Sequence, residues 1–223
     1  IPSRRLRDLR NEFTYPFQWT AKKVWHFAQY PAWSTKMIIA ALGEGMPEPA
    51  NYSSSKQNIK FERNAPRTGA DWEFLERLRA KWSGKLIVKG VQCPEDALHI
   101  KNLGIDAIYV SNHGGRQLNA APVVIDSLAA IRYSIGMDYP LIYDGGIRGG
   151  EHVLKAIATG ANFTMLGRSV MYALGAKGEA GINSILDSIE RELDSSMGLL
   201  GCCRPSEVSS KSLAQYFSVK AQS

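Results

Sequence analysis

Cysteine, long apolar runs and acidic residues are all scarce in this chain of 223 residues. Its three cysteines, Cys93, Cys202 and Cys203, form neither an evenly paired set nor a metal-ligand spacing, so we expect reduced thiols and a cytoplasmic setting. The longest aliphatic run, Met37–Leu42, has six residues, whereas a membrane-spanning helix needs about 20. No apolar segment follows the arginines near the start, which argues against an export signal.

The composition is that of a globular protein with a basic first third. The chain is 44% hydrophobic and carries a formal net charge of +6, which excludes a disordered, collagenous or coiled-coil chain. Residues 1–80 carry +5 of this charge and residues 81–223 only +1. The basic part fits an anionic substrate, an acidic membrane surface or a solvated face. Because no zinc-finger spacing or aromatic RNA-binding pattern accompanies it, we do not expect a nucleic-acid partner.

Residues 85–200 repeat one pattern: a short apolar run, a Gly-rich polar loop, and a segment of helical periodicity. Such short runs are typical of buried parallel strands, and the flanking prolines and glycines suit helix starts and ends. The predicted strands are Leu86–Val88, Ala107–Val110, Pro140–Tyr143 and Phe163–Leu166. The predicted helices are Asp71–Trp82, Pro94–Leu103, Pro122–Tyr133, Gly150–Thr159 and Glu179–Leu199. This alternation predicts an α/β fold, either a TIM (β/α)8 barrel or a doubly wound sheet.

The positions of the polar residues favour the barrel. Each of the four predicted strands is followed directly by a polar signal, whereas a doubly wound sheet concentrates such residues at one switch point. These signals are Lys89, Ser111 to His113, Asp144 to Gly146, and Gly167 with Arg168. Only four strands are visible, so we expect this chain to supply about half of a barrel, and to begin inside a longer protein.

Two consecutive loops predict a phosphate site. Asp144, Gly145 and Gly146 are followed by Arg148, and Gly167 is followed by Arg168. Glycines let backbone N–H groups approach an anion closely, helix N-termini add partial positive charge, and arginines bind phosphate oxygens. A tight turn between strand and helix is the favoured explanation of either loop alone, but two consecutive loops, each with an Arg, favour phosphate binding.

His113 is the candidate general base. It follows a buried strand, the glycines Gly114 and Gly115 leave space beside it, and Arg116 lies three residues on, where it can hold an anionic substrate. A structural histidine is the alternative interpretation, but this context favours chemistry.

These motifs together resemble the FMN-dependent 2-hydroxy-acid dehydrogenase/oxidase family, which includes L-lactate dehydrogenase, mandelate dehydrogenase and glycolate oxidase. The resemblance runs from Arg4 to about Leu213, and its most specific part is Ser-Asn-His-Gly-Gly-Arg-Gln at 111–117. Leu86 to Gly90, Asp144 to Arg148, Leu166 to Arg168, and the opening Arg4 to Phe13 also match family segments. The opening corresponds to the segment after barrel strand four, so the chain would supply strands five to eight.

The resemblance implies FMN as cofactor and a role for each motif. His113 would remove a proton from the 2-hydroxy acid, from carbon or from the hydroxyl. Arg116 and Arg5 would hold the substrate carboxylate, although the neighbouring Arg4 competes with Arg5 for this role. Lys89 would stabilise negative charge on the flavin. The other cofactor-binding residues would be Ser111, Asp144, Gly145, Gly146, Arg148, Gly167 and Arg168, with no metal.

The sequence also departs from the family. Gly149 stands where a second Arg is usual, which predicts a slightly weaker phosphate grip, and Asn119 replaces a common Asp. Strands one to four would lie upstream, together with several groups that contact the flavin or the substrate directly. We therefore expect weak FMN binding and negligible turnover from this fragment. The full-length protein would form a homo-oligomer, and its substrate would be lactate or an aromatic 2-hydroxy acid. The electron acceptor would be oxygen, a quinone or a cytochrome.

The resemblance divides the chain into three parts. Residues 1–13 form the segment after strand four, 14–70 a variable insertion with one or two helices and a mobile connector, and 71–223 the half-barrel with its terminal helix. In membrane-associated relatives the insertion contacts the membrane. Here residues 17–42 combine tryptophans with Lys22, Lys23 and Lys36, as an anionic lipid interface requires, although the aromatics could equally pack over the barrel.

Two other functions stay open. Another phosphate-binding barrel enzyme, an isomerase or nucleotide dehydrogenase, would share the glycine loops without needing His113 and Arg116 together. A non-catalytic, membrane-associated barrel fragment would carry the same residues as relics.

Overall fold

The computed structural model describes residues 10–12, 18–45 and 70–213. The chain forms two compact units, Ile1–Arg67 and Thr68–Ser223. In the first unit, α1 (Ala21–Ala28) begins at Thr20, whose Oγ1 accepts a hydrogen bond from the Lys23 N–H. Helix α2 (Pro31–Glu44) begins with a proline, which suits a first turn. The connector predicted up to residue 70 lies almost entirely outside the described residues.

The second unit alternates strands and helices as the sequence pattern predicts. Its elements in chain order are α3 (Trp72–Lys81), β1 (Ile87–Val91), α4 (Pro94–Asn102), β2 (Ala107–Val110), a short 3-10 helix (His113–Gly115), α5 (Val124–Ile135), β3 (Leu141–Asp144), α6 (Gly150–Thr159), β4 (Phe163–Met165) and α7 (Arg168–Leu200). Two short 3-10 turns follow, Pro205–Glu207 and Ser210–Ser212.

The four strands form one parallel sheet in the order β1-β2-β3-β4. A doubly wound sheet reverses its strand order at a switch point, and this order does not reverse. Strands that follow one another in space as in sequence are those of a (β/α)8 barrel. The described residues therefore form a partial barrel, as predicted.

The two faces of this sheet differ in burial. On the helix-facing side, Ile108, Val110 and Leu141 are fully buried against Leu128 and Ile131 of α5. On the opposite side, strand pairing aligns one row across the sheet: Lys89, Tyr109, Ile142 and Phe163. Phe163 is 60% exposed, so in the described residues this inner face is largely open.

Some element boundaries differ from the predictions. Strand β1 continues to Val91, so Lys89 lies within the strand rather than after it. Its pairing with β2 is irregular between Lys89 and Val91, where Gly90 has a φ of 97°, and this bulge lets a polar residue and a glycine stay in the strand. Helix α5 begins at Val124, after Pro122, whose carbonyl instead accepts a hydrogen bond from Asn112 Nδ2 at 3.3 Å.

The helix ends agree better with the sequence. Gly104 follows α4 with a φ of 70°, and Gly160 ends α6 with a φ of 116°, the left-handed conformation expected of a C-terminal cap. Helix α7 is interrupted at Gly178 (φ 59°, ψ −140°), directly before the predicted helix start at Glu179.

A cluster of charged residues around Asp106 stabilises the amino-terminal edge of the sheet. The Asp106 carboxylate accepts hydrogen bonds from Lys85 Nζ at 2.8 Å, Arg79 Nη1 at 3.0 Å and the Leu86 N–H at 2.9 Å. The Lys85 and Leu86 bonds, more than the Arg79 bond, lower the pKa of Asp106 to about 2. The carboxylate thus links the carboxyl-terminal part of α3 and the residues just before β1 to the start of β2.

We expect Asp106→Asn to lower the urea midpoint of the chain at pH 7. Because the folded pKa of about 2 lies below the unfolded value of about 3.9, the ionised carboxylate stabilises the fold above pH 4. This stabilisation is lost as pH falls from about 4 to 2, so the two midpoints should converge over that range. Asp187→Asn, at an exposed position of α7, is the control. If the urea midpoints of wild type and Asp106→Asn differ as much at pH 2 as at pH 7, the stabilising role of the ionised Asp106 is contradicted.

Candidate active site

The predicted site residues of the second unit gather at one edge of the sheet. Because all four strands are parallel, their carboxyl ends lie at the same edge. Lys89, the 111–117 loop, Asp144 and the Gly167–Arg168 turn all belong to this edge. Arg5, the other predicted substrate-binding residue, lies outside the described residues.

A hydrogen-bond network centred on Ser111 joins three of the strands. Ser111 Oγ donates to Asp144 Oδ1 at 2.5 Å and accepts from Lys89 Nζ at 3.0 Å. Lys89 Nζ also donates to Asp144 Oδ2 at 2.6 Å. Ser111 is only 1% exposed, and its hydroxyl also accepts from the His113 N–H at 3.0 Å. One buried hydroxyl therefore links the lysine, the carboxylate and the histidine loop.

Two opposing effects set the charge of Asp144. Partial burial of the carboxyl raises its pKa, but hydrogen bonds from Lys89 and Ser111, and a smaller contribution from Tyr109, outweigh burial and lower the pKa below its usual value. The carboxylate is therefore ionised at neutral pH. Its negative charge pairs with the Lys89 ammonium at the carboxyl edge of the sheet.

His113 occupies a strained backbone conformation. Its φ of 57° lies in the left-handed region, and Gly114 and Gly115 follow with φ values of 66° and 70°. Asn112 Oδ1 accepts a hydrogen bond from the Gly115 N–H at 3.1 Å, which closes the turn. Left-handed non-glycine residues are uncommon and concentrate at functional sites. The turn leaves the His113 and Arg116 side chains exposed at the edge of the sheet.

The two glycine turns lie beside this loop. Ser169 Oγ donates to the Ile147 carbonyl at 3.1 Å, which joins the turn after β3 to the turn after β4. A Cβ added at Gly114 would lie 3.6 Å from Arg168 Nη2, so the guanidinium of the second turn reaches the histidine loop. The proposed base and the proposed phosphate turns therefore rim the same opening.

These residues fit the phosphate end of FMN. Gly146 and Gly167 have open space where a Cβ would be, so a ligand can approach both backbones closely. The Arg148 and Arg168 side chains are exposed at the same turns, and two guanidinium groups match a phosphate dianion. The donor set therefore agrees with the cofactor that the sequence predicts.

Gly149 lies next to a carboxylate of α7. Glu192 Oε2 accepts a hydrogen bond from the Gly150 N–H at 2.7 Å, at the start of α6. A Cβ at Gly149 would overlap this same oxygen. A carboxylate is favourable at a helix N-terminus. Sequence reasoning missed Glu192 because it lies 42 residues from Gly150, on α7.

Tyr109 is a second residue that sequence reasoning missed. It stands within the apolar run of β2, yet Lys89 Nζ lies 3.5 Å from the centroid of its ring. The only available signal was the alternation of strand side chains, which puts Tyr109 on the face opposite to its buried neighbours Ile108 and Val110.

Among the residues that the structure describes, no three His, Cys, Asp or Glu side chains come together as metal ligands. In the same ranges, no helix combines the length and hydropathy needed to cross a membrane.

The sequence is similar to those of FMN-dependent enzymes. The family model described as FMN-dependent dehydrogenase matches residues 1–215. The chain is 36% identical to (S)-mandelate dehydrogenase of Pseudomonas putida over 204 residues, which is 89% of this chain and 50% of that protein. It is 34% identical to L-lactate dehydrogenase of Vibrio cholerae over 221 residues, or 96% of this chain and 58% of that protein.

A solved structure gives the same result. The crystal structure of the monotopic membrane protein (S)-mandelate dehydrogenase superposes with a TM-score of 0.81 and 33% identity, covering 94% of this chain and 56% of that one. The chain thus spans about half the length of the relatives that it matches. Since the family model covers nearly the whole sequence, this chain belongs to the FMN-dependent dehydrogenase family.

Proposed function

We propose that this chain supplies the carboxyl-terminal half of a barrel that oxidises an L-2-hydroxy acid to the 2-oxo acid with FMN. The observation that carries the proposal is the network through which Ser111 joins Lys89, Asp144 and the His113 loop. The proposal is supported by a lysine, a carboxylate and the backbone of the His113 loop sharing one hydroxyl, next to two glycine turns. A phosphate-binding isomerase would not need the base and Arg116 at the same opening.

Each group then has a chemical task. The imidazole of His113 takes the proton that leaves the substrate, from carbon or hydroxyl, while FMN, when bound, accepts the electron pair. The Arg116 guanidinium holds the substrate carboxylate, a pairing that its two-pronged geometry favours, and Arg5 is proposed as its partner. The ammonium of Lys89 stabilises negative charge that develops nearby.

The remaining residues would hold the cofactor. Asp144 would accept hydrogen bonds from hydroxyl groups, and Gly145, Gly146 and Gly167 would let the backbone approach. Arg148 and Arg168 would neutralise phosphate charge. Lactate- or mandelate-type substrates are supported by the similarity to dehydrogenases of those two acids.

We expect the 223-residue chain alone to bind FMN weakly and to turn over negligibly. In the part of the chain that the structure describes, Phe163 is 60% and Ile87 48% exposed on the inner face of the sheet. A flavin over this face would lack the contacts and water exclusion of a closed barrel.

The test is flavin spectroscopy on a complete barrel, made by fusing the amino-terminal half of (S)-mandelate dehydrogenase to residues 1–223. We expect purified protein to retain FMN absorbance, and L-lactate or (S)-mandelate to bleach it without oxygen. The unfused chain is the control. Bound flavin that no 2-hydroxy acid bleaches would favour another phosphate-binding barrel enzyme, and an absence of flavin would favour a non-catalytic fragment.

A second proposal, membrane contact, concerns α1 and α2. None of the residues of these helices is buried, and Trp19 is 71%, Trp25 68% and Leu42 83% exposed. Trp19 packs edge-on against Phe27 with ring centroids 5.8 Å apart, which gathers apolar surface next to Lys22 and Lys23. Indoles and lysines together suit the headgroup region of an anionic bilayer.

Deleting residues 17–42 should abolish sedimentation of the chain with phosphatidylglycerol vesicles. Trp25→Ser together with Leu42→Ser should weaken binding at least about tenfold, because each side chain would otherwise bury substantial apolar area. Tyr133→Ser, which removes an aromatic that is 94% exposed on α5, is the matched control and should change nothing. Unchanged vesicle binding after the deletion would rule out the insertion as the contact.

A further inference from the structure

Tyr109 lies at the centre of the sheet edge that the site uses. It pairs with Lys89 of β1 on one side and with Ile142 of β3 on the other. Asp144 is two residues beyond Ile142 on the same strand and therefore on the same face. A diagonal neighbour across two strands is within reach of an aromatic side chain. The strand register alone thus brings the tyrosine between the lysine and the carboxylate.

The ring and the hydroxyl make different contacts. Lys89 Nζ lies 3.5 Å from the ring centroid, a cation–π geometry, while it donates to Asp144 Oδ2 and Ser111 Oγ on its other side. The Tyr109 hydroxyl lies on the same face as the Asp144 carboxylate and contributes to lowering the pKa of that carboxyl. Burial first, and the Asp144 interaction second, raise the pKa of the Tyr109 phenol, so the hydroxyl keeps its proton and acts as a donor.

We propose that Tyr109 is a positioning residue of this site: its ring fixes the Lys89 ammonium from below, and its hydroxyl fixes the Asp144 carboxylate. A lysine side chain has four rotatable bonds and loses much freedom when it is held in one place. An ammonium that is already fixed stabilises developing charge without reorganisation. The benefit to catalysis rests on the proposed function; the positioning itself does not.

The experiment measures Asp144 in the 223-residue chain without flavin, so it is independent of the proposed function. The carboxyl carbons of aspartate are labelled with ¹³C, the Asp144 resonance is assigned from Asp144→Asn, and its titration is followed by NMR. Lys89, Ser111 and Tyr109 are the groups that lower the pKa of Asp144. The compared variants are Tyr109→Phe, which keeps the ring, and Tyr109→Leu, which removes ring and hydroxyl.

In Tyr109→Phe we expect the pKa of Asp144 to rise, because the hydroxyl no longer stabilises the charged carboxylate. The proton concentration at the midpoint of the Asp144 titration should fall roughly threefold. In Tyr109→Leu it should fall further, because Lys89 also loses its support. Tyr139→Phe is the matched control: it removes a hydroxyl that donates to the Ile105 carbonyl at 2.6 Å, from a ring that lies near Lys101. This control should leave the titration of Asp144 unchanged.

A second readout separates positioning from general packing. An amine-reactive reagent at fixed pH, with each lysine quantified by mass spectrometry, should label Lys89 several-fold faster in Tyr109→Leu and at nearly the wild-type rate in Tyr109→Phe. If Asp144 titrates identically in all three proteins and Lys89 labels at one rate, the proposal is overturned. It is also overturned if Tyr139→Phe shifts Asp144 as much as Tyr109→Phe does.

Discussion

Replacing Arg132 with methionine is expected to destabilise the chain by about 3–5 kcal/mol. Arg132 lies on α5 and is only 6% exposed. Its guanidinium donates twice to the Gly160 carbonyl, from Nε at 2.8 Å and Nη2 at 2.6 Å. It also donates to the carbonyls of Gly136, at 2.7 Å, and Tyr139, at 2.8 Å. One side chain thus ties together the end of α5, the approach to β3 and the end of α6.

The loss is large because several buried acceptors lose their donor at once. Arg132 Nη2 also donates to Asn162 Oδ1 at 2.8 Å, and that oxygen accepts from the Leu141 N–H at the start of β3. Burial lowers the pKa of Arg132, and the negative charge of Asp138 opposes this effect. Methionine fills similar volume and leaves these oxygens without their donor.

Urea unfolding followed by circular dichroism measures this loss. Arg132→Lys should lower the free energy of unfolding less than Arg132→Met, because lysine keeps a positive charge. It should still lower it, because lysine lacks the planar guanidinium that reaches acceptors on both sides of the turn. Arg191→Met, at an exposed position of α7, is the matched control and should stay within about 0.5 kcal/mol. A loss below about 1 kcal/mol for Arg132→Met would show that water replaces the guanidinium.

In the complete barrel, His113→Asn should slow flavin bleaching by a 2-hydroxy acid about 10²–10⁴-fold, the usual contribution of a positioned base. Asparagine is the informative replacement because it tolerates the left-handed conformation that His113 adopts, with a φ of 57°. The Ser111–His113 backbone hydrogen bond and the following glycine turn should survive. Alanine would add backbone strain to the loss of the base and would confuse the two effects.

Stopped-flow absorbance under anaerobic conditions measures the rate, and the flavin spectrum before mixing reports cofactor content. FMN content and urea midpoint should match those of the unaltered protein. His99→Asn, on α4 where the imidazole stacks on Trp72 at 4.2 Å, is the control and should bleach at the unaltered rate. A His113→Asn protein that bleaches as fast as this control would show that another group accepts the proton.

Local signals in the chain were enough for the elements of the half-barrel. The apolar runs of β2 and β3 are continuous because both faces of a parallel strand are covered in a closed barrel. The glycines at 104 and 160 mark helix ends because only glycine adopts their backbone conformation at little cost. The same local logic placed His113 and the two glycine turns at strand ends, and parallel strands then bring those ends to one edge.

The predicted ends of strands and helices were wrong where local sequence preferences compete with tertiary contacts. Lys89 and Gly90 end an apolar run, which predicts that the strand ends before them, but pairing with β2 extends the strand to Val91. Pro122 is a good first helical residue by its fixed φ, but its carbonyl is used by Asn112 and the helix starts at Val124.

The residues alone thus predicted the strands and turns and indicated candidate site residues at the strand ends, because these features depend on backbone conformation and side-chain periodicity within a few positions. Only folding decided which side chains meet. Lys89 and Asp144 are 55 residues apart, Ser111 lies between them, and Arg132 finds Gly160 28 residues away. Such contacts are set by strand register and helix packing, which bring distant segments to within a few ångströms and leave no mark in the local sequence.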